Sequence, residues 1–131
     1  MARELGLTQS SFRNAHGLTE AGQYSTAKDT AQLFLALERD FKRDFHLLGE
    51  TKINALIRSV EHSGRRLLND YLEAGAVKTG YTREAGFCGA MFAKRRQREI
   101  IVVMLGGRST ATTNDQMMRL AELGFEKLSE Y

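Results

Sequence analysis

The stretch "AGAVKTGYTREAGFCGAMFAKRRQREIIVVMLGG", residues 74–107, contains three short apolar or β-rich runs, AGAVKTG, GFCGAMFAK and EIIVVMLGG, separated by YTREA and RRQR. Runs of this length, bounded by glycine and charged residues, read as strands. Connections of four or five residues are too short for a crossover, so neighbouring strands must run antiparallel. In the middle run, Phe87, Met91 and Ala93 fall on one face and Cys88, Ala90 and Phe92 on the other. Both faces are apolar, which predicts a central strand covered on each side.

Helical patterns flank this block. From Gln23 to about Phe41, Ala27, Ala31, Phe34, Leu37 and Phe41 recur at three- and four-residue steps, and Thr26 with Asp29 supplies a start signal. After residue 107, "TNDQMMRLAELGFEKL" opens on Thr113 and Gln116 in capping-box register. It continues with Met117, Leu120, Ala121, Phe125 and Leu128 on one stripe, a terminal helix that packs on the sheet. Between the first helix and the strands, "HLLGETKINALIRSV" combines a short helical piece with an alternation at Ile53, Ala55 and Ile57 that reads as a strand. The fold class is α+β, a mostly antiparallel sheet with helices before and after it.

A chain of 131 residues, 42% hydrophobic and 27% charged, suits one globular unit. The formal charge of +3 comes from 19 basic and 16 acidic residues, too mixed a balance to imply nucleic acid. "KRRQR", residues 94–98, is the densest basic run, but it joins two strands and lacks interleaved aromatics. It reads as a solvated hairpin turn, with a small nucleic-acid binder as the rival class. Cys88 is the only cysteine, and His16, His46 and His62 are scattered, so neither a disulfide framework nor a metal site is expected. Cys88 is assigned to the core, and His16 to loop architecture. No cofactor is implied. The chain as written shows no export signal and no run of membrane-spanning length, so it would stay cytoplasmic if made in this form.

In "AVKTGYT", a lysine, a hydroxyl and a glycine follow one another on a strand, with Lys78 and Gly80 on one face and Thr79 on the other. Lys78 offers fixed positive charge, Thr79 a hydroxyl donor, and Gly80 room for a ligand backbone. The three together suit an anionic, peptide-like substrate.

Several segments in order resemble one family: "ELGLTQSSFRNAHGL" (4–18), "GQYSTAKDTAQL" (22–33), "RRLLNDYLEAGAVKTGYTREAGFC" (65–88), "IIVVMLGGRS" (100–109) and "LGF" (123–125). The chain is similar to the serine D-alanyl-D-alanine carboxypeptidases, the low-molecular-mass penicillin-binding proteins. That resemblance implies a partial β-lactamase/transpeptidase-like fold. It also implies an activity in which a serine attacks the D-Ala-D-Ala carbonyl of a peptidoglycan stem peptide and forms an acyl-enzyme that water hydrolyses. β-Lactams acylate the same serine. By position, Lys78 and Thr79 would hold the substrate carboxylate, with Lys78 supporting proton transfer. Gly80 would let the substrate approach, and the Tyr81 backbone N–H would be an oxyanion-hole donor.

Of the family's three motifs, Ser-x-x-Lys, Ser-x-Asn and Lys-Thr-Gly, the last is the one clearly present. Ser25 and Lys28 have Ser-x-x-Lys spacing, but no Ser-x-Asn follows, and the interval to Lys78 is short for the family's intervening helical region. "YSTAKD" itself resembles a family segment that follows "HGL" and starts a helix, so Ser25 or Thr26 is expected to be a cap. Residues 1–131 thus read as the C-terminal part of a catalytic domain, lacking the nucleophile and silent by themselves. An N-terminal complementary fragment is the expected partner. The alternative is a non-catalytic remnant that binds peptidoglycan or a partner.

Overall fold

The computed structural model describes the backbone of residues 1–54 and 59–131, and the side chains outside 53–60. The elements run α1 (Ala27–Asp40), α2 (Lys42–His46), a 3-10 turn (Leu47–Gly49), β1 (Lys52–Asn54), β2 (Ser59–Glu61), α3 (Arg65–Asp70), β3 (Ala74–Thr82), β4 (Gly86–Arg95), β5 (Arg98–Gly107) and α4 (Thr110–Ser129). β1 and β2 form a small antiparallel pair, while β3, β4 and β5 form an antiparallel sheet in that order. The strand expected around Ile53 is present as β1; Ala55 and Ile57 lie outside the described residues.

β4 is central and covered on both faces, as its double apolar pattern predicts. On one face Met91 pairs with Val77 and Val102, and with Ala93 it packs against Leu67, Met117, Ala121 and Phe125 from α3 and α4. On the other face Ala90 and Phe92 meet Ala76, Phe34 of α1 and Phe45 of α2. The rings of Phe34, Phe45 and Phe92 meet edge to face, at centroid distances of 4.9 and 5.9 Å. Small residues set how closely the layers approach. A Cβ at Gly89 would lie 2.8 Å from the Met117 sulfur, and one at Gly107 would overlap the buried Thr113 hydroxyl. These two positions let α4 lie against the sheet.

α1 starts where its cap permits. Thr26 Oγ1 accepts a hydrogen bond from the Asp29 N–H (3.1 Å), so Thr26 rather than Ser25 is the N-cap and the helix begins four residues after Gln23. Asp29 is buried, and its carboxylate accepts from the Gln9 N–H (2.9 Å) and the Ser10 hydroxyl (2.7 Å), which fastens the N-terminal segment to the first turn. The expected apolar stripe is only partly covered: Phe34 is buried, but Ala27, Leu37 and Phe41 are exposed. α4 begins a turn earlier than expected. Ser109 is its N-cap, with Oγ accepting from the Thr112 N–H, and Thr113 lies inside the helix as a buried residue. The run Ser109-Thr110-Ala111-Thr112-Thr113 offers several hydroxyl caps, and the one closest to the end of β5 is used.

The basic hairpin is less solvated than its composition implied. Arg95 donates to Glu73 (2.8 Å) and Glu122 (3.1 Å) and lies 4.5 Å from the centre of the Phe125 ring. Tyr71 donates its hydroxyl to Glu122 (2.7 Å). Burial, then the Glu122 carboxylate, push the Tyr71 phenol well above its ordinary range. Lys94 pairs with Glu99, and Arg96 and Arg98 remain exposed. Among the described residues no helix is long and apolar enough to cross a membrane.

Two predictions follow from the packing. Met91→Ala, at a fully buried position, is expected to cost about 2–5 kcal/mol and to lower the urea midpoint measurably. The Arg95 guanidinium, then the Tyr71 hydroxyl, hold the Glu122 carboxyl below the usual carboxylate range. A lowered folded-state pKa contributes stability above the unfolded pKa and loses it as pH falls through the folded one. The Tm of Glu122→Gln should therefore fall less than the wild-type Tm between neutral pH and pH values below the carboxylate range. Parallel Tm profiles for the two proteins would count against this clamp.

Candidate functional site

β3 is an edge strand. One side is paired to β4 along Ala74–Thr82, and among the described residues no strand pairs with the other. An unpaired strand edge can accept an added strand. Lys78, Thr79, Gly80 and Tyr81 lie together on it, opposite Ala90, Gly89, Cys88 and Phe87 of β4.

The two faces of β3 lead to different surroundings. Lys78 and Gly80 border a groove of about 210 Å3 formed with Leu33 and Leu37 of α1 and Leu105 of β5. The Lys78 ammonium turns back to the Thr79 carbonyl, and among the described residues it has no carboxylate partner. It is an exposed cation with a full charge to offer an anion. The Thr79 hydroxyl lies 2.6 Å from that of Ser63, at a second cleft of about 370 Å3 lined also by Tyr81, Phe87, Thr110 and Asn114. Tyr81 is 59% exposed and stacks on Phe87 with ring centres 4.4 Å apart. Among the described residues nothing lies within 4 Å of where a Cβ at Gly80 would stand, so the strand there is open to an approaching backbone.

Cys88 departs from its core assignment. It is partly exposed and borders both openings, with its thiol 3.7 Å from the Ala85 and Gly86 carbonyls. It pairs with Gly80, and having no side chain opposite leaves it uncovered. Ser63 was not singled out from the sequence. It lies sixteen residues before Thr79 in the turn between β2 and α3, and no local pattern marks the contact.

Ser25 and Lys28 do not form a nucleophile and base. The Ser25 hydroxyl contacts those of Ser10 (2.8 Å) and Thr30 (3.3 Å), and Lys28 borders a separate groove with Leu35, Phe92 and Ile101. His16 stays in its loop, where Nδ1 accepts from the Leu18 N–H (3.2 Å). Around it Asn14 accepts from the Gly17 N–H and donates to the Leu18 carbonyl, while Gln23 accepts from the backbone of Arg13 and Asn14. Gly17 closes this turn with φ +82°, a left-handed conformation that favours glycine.

Residues 1–109 match the family described as D-alanyl-D-alanine carboxypeptidase. Among curated proteins, D-alanyl-D-alanine carboxypeptidase DacA of Escherichia coli K12 is 32% identical over 122 residues, covering 92% of this chain and 30% of the relative. DacF of Bacillus subtilis is 31% identical over 138 residues, covering 96% and 33%. The chain thus spans about a third of the curated relatives it matches. Penicillin-binding protein D2 of Listeria monocytogenes, solved with cefotaxime bound, superposes with a TM-score of 0.86 at 26% identity, over 95% of this chain and 51% of that one. Penicillin-binding protein 5 of Haemophilus influenzae shares the fold, with a TM-score of 0.88 at 24% identity over 95% and 37%. The α+β architecture is that of the penicillin-binding proteins and transpeptidases, and the chain belongs to the D-alanyl-D-alanine carboxypeptidase family.

Proposed function

We propose that residues 1–131 are the C-terminal part of the catalytic domain of a serine D-Ala-D-Ala carboxypeptidase, and that the free edge of β3 binds the D-Ala-D-Ala end of a peptidoglycan stem peptide. The observation that carries this reading is the uncompensated Lys78 ammonium on an unpaired strand edge, beside the open backbone at Gly80, in a chain of this family.

The strand's chemistry is electrostatic. The Thr79 hydroxyl, held in place by Ser63, receives the terminal carboxylate, and the Lys78 ammonium adds positive charge from the other side of the strand edge. The Tyr81 N–H is a donor for the oxyanion that forms when a serine attacks the scissile carbonyl. The C–N bond then breaks, D-alanine leaves with a proton on its amine, and water hydrolyses the ester. β-Lactams acylate the same serine. That serine and the base beside it come from the Ser-x-x-Lys and Ser-x-Asn segments, which these 131 residues do not contain. Ser25, bonded to other hydroxyls, does not replace them. The reaction takes place outside the cytoplasm, where peptidoglycan is.

The exposed leucines beside Lys78 support a complementary segment seated on this face. Leu37 is 38% and Leu105 41% exposed, and an apolar strip of this kind is ordinarily covered by further protein. The same strip also suits the second reading, a non-catalytic module that binds peptidoglycan or a partner.

The purified 131-residue chain, incubated with a fluorescent penicillin, is expected to show no covalent adduct by mass, and labelling at Ser25 would overturn this assignment. Adding an N-terminal fragment bearing the two absent motifs should restore labelling. Reversible binding of a D-Ala-D-Ala peptide, followed by NMR titration, should weaken roughly tenfold or more in Lys78→Ala. Unchanged affinity in that variant would remove Lys78 from the site.

A further inference from the structure

The cleft of about 370 Å3 between β3 and the start of α4 is polar without being charged. Ser63 and Thr79 line one side and Thr110, Thr113 and Asn114 the other, and among the described residues no carboxylate, ammonium or guanidinium lines it. Lys78 borders the other opening, so its charge reaches this cleft only from across the strand.

Thr113 stands apart from the other hydroxyls. Ser63 and Thr79 bond to each other at 2.6 Å. Thr113 is 4% exposed, and its Oγ1 is buried with no hydrogen-bond partner among the described residues. Its backbone N–H is bonded to the Ser109 carbonyl (3.0 Å), but its side chain is not bonded within the helix. A buried hydroxyl left without a partner costs stability, and valine has the same shape without that cost. The penalty is offset when a group in the cleft bonds to the hydroxyl.

The chemistry of the walls selects that group. A carboxylate only accepts hydrogen bonds and loses hydration when it enters an uncharged cleft, whereas an amide is neutral and both donates and accepts. The Thr113 oxygen can accept from an amide N–H, and the Asn114 side chain can donate and accept in turn. The cleft also has room for atoms beyond a carboxyl group held at Thr79.

We infer that this cleft is an amide subsite: it takes peptides in which the residue after the scissile bond carries its carboxyl as a carboxamide or a further peptide bond, with the carbonyl oxygen on the Thr79 hydroxyl and the N–H donating to Thr113 Oγ1. This assignment rests on the proposed reading of β3 as the substrate strand, and extends it from free peptide ends to amidated or longer ones. Thr113 is then a specificity residue, retained at a cost to the fold.

The test compares acetyl-D-Ala-D-Ala with its C-terminal carboxamide, each titrated by NMR into the 131-residue chain. Loss of the exposed attraction to Lys78 should leave the carboxamide within about fivefold of the acid. In Thr113→Val the ratio of carboxamide to acid affinity should fall roughly two- to tenfold, while Thr113→Ser, which keeps the hydroxyl, should keep the ratio. Thermal melts of both variants confirm folding, and Thr113→Val is expected to melt higher than the wild type because it removes a buried polar atom without a partner. A carboxamide more than about fivefold weaker than the acid in the wild type, a ratio unchanged in Thr113→Val, or a lowered Tm in that variant would overturn the subsite and leave the β3 reading standing. Binding of neither peptide would overturn the β3 reading itself and the subsite with it.

Discussion

The fold depends on β4 being buried on both faces. Met91 and Ala93 close one core with α3 and α4, and Ala90 and Phe92 close the other with α1 and α2. Because β4 is hydrogen-bonded on both sides and its middle, Gly89–Ala93, is largely covered above and below, the free edges of the sheet fall to its neighbours. β3 and β5 become the edges, and the free edge of β3 is where Lys78, Thr79 and Gly80 stand. An unpaired strand edge is ordinarily an aggregation liability. Here the exposed cation at Lys78 opposes stacking of identical edges.

The two ends of the sheet are treated differently. At the hairpin end, Arg95 joins Glu73 before β3 to Glu122 on α4 and lies over Phe125, so three elements are tied together by one side chain. At the opposite end the side chains shorten to Gly80, Gly86, Gly89 and Gly107, and clefts open between β3, α1, α4 and the N-terminal loop. Rigidity at one end and space at the other would suit the binding edge proposed for β3, where the strand must hold its register while its surface stays accessible.

Much of this was legible from residues 74–107. Alternation on both faces marked β4 as central, and the short connections required an antiparallel order; both hold in the register. That Lys78-Thr79-Gly80 lies on a strand was legible as well. The misreadings arose where several local signals competed or where the deciding contact lay far off in sequence. Five small or hydroxyl residues before Asn114 offered α4 several starts, and Ser109 is chosen because β5 ends there. Cys88 follows the apolar pattern of a buried strand, yet its cross-strand partner is Gly80, which covers nothing. Arg95 in a basic run looked solvated until Glu73 and Glu122 were brought to it from 22 and 27 residues away. No local pattern could show that.

Ser25 makes the same point about catalysis. A serine three residues before a lysine has the spacing of a nucleophile and its base, but spacing acts only through the backbone that carries it. Ser25 precedes the helix rather than standing in it, and Thr26 takes the cap. Its hydroxyl is committed to Ser10 and Thr30, and Lys28 points into a different groove. An activated serine needs an adjacent base and an oxyanion hole aimed at one carbonyl. On the proposed reading a donor for that hole stands on β3, where among the described residues Ser63 is the serine in hydrogen-bond contact with the strand, its hydroxyl bonded to Thr79. On the proposed reading the strand and the nucleophile are separable parts of one site: the first would arrange charge and backbone for a peptide end, and chemistry would begin when the second is brought against its free edge.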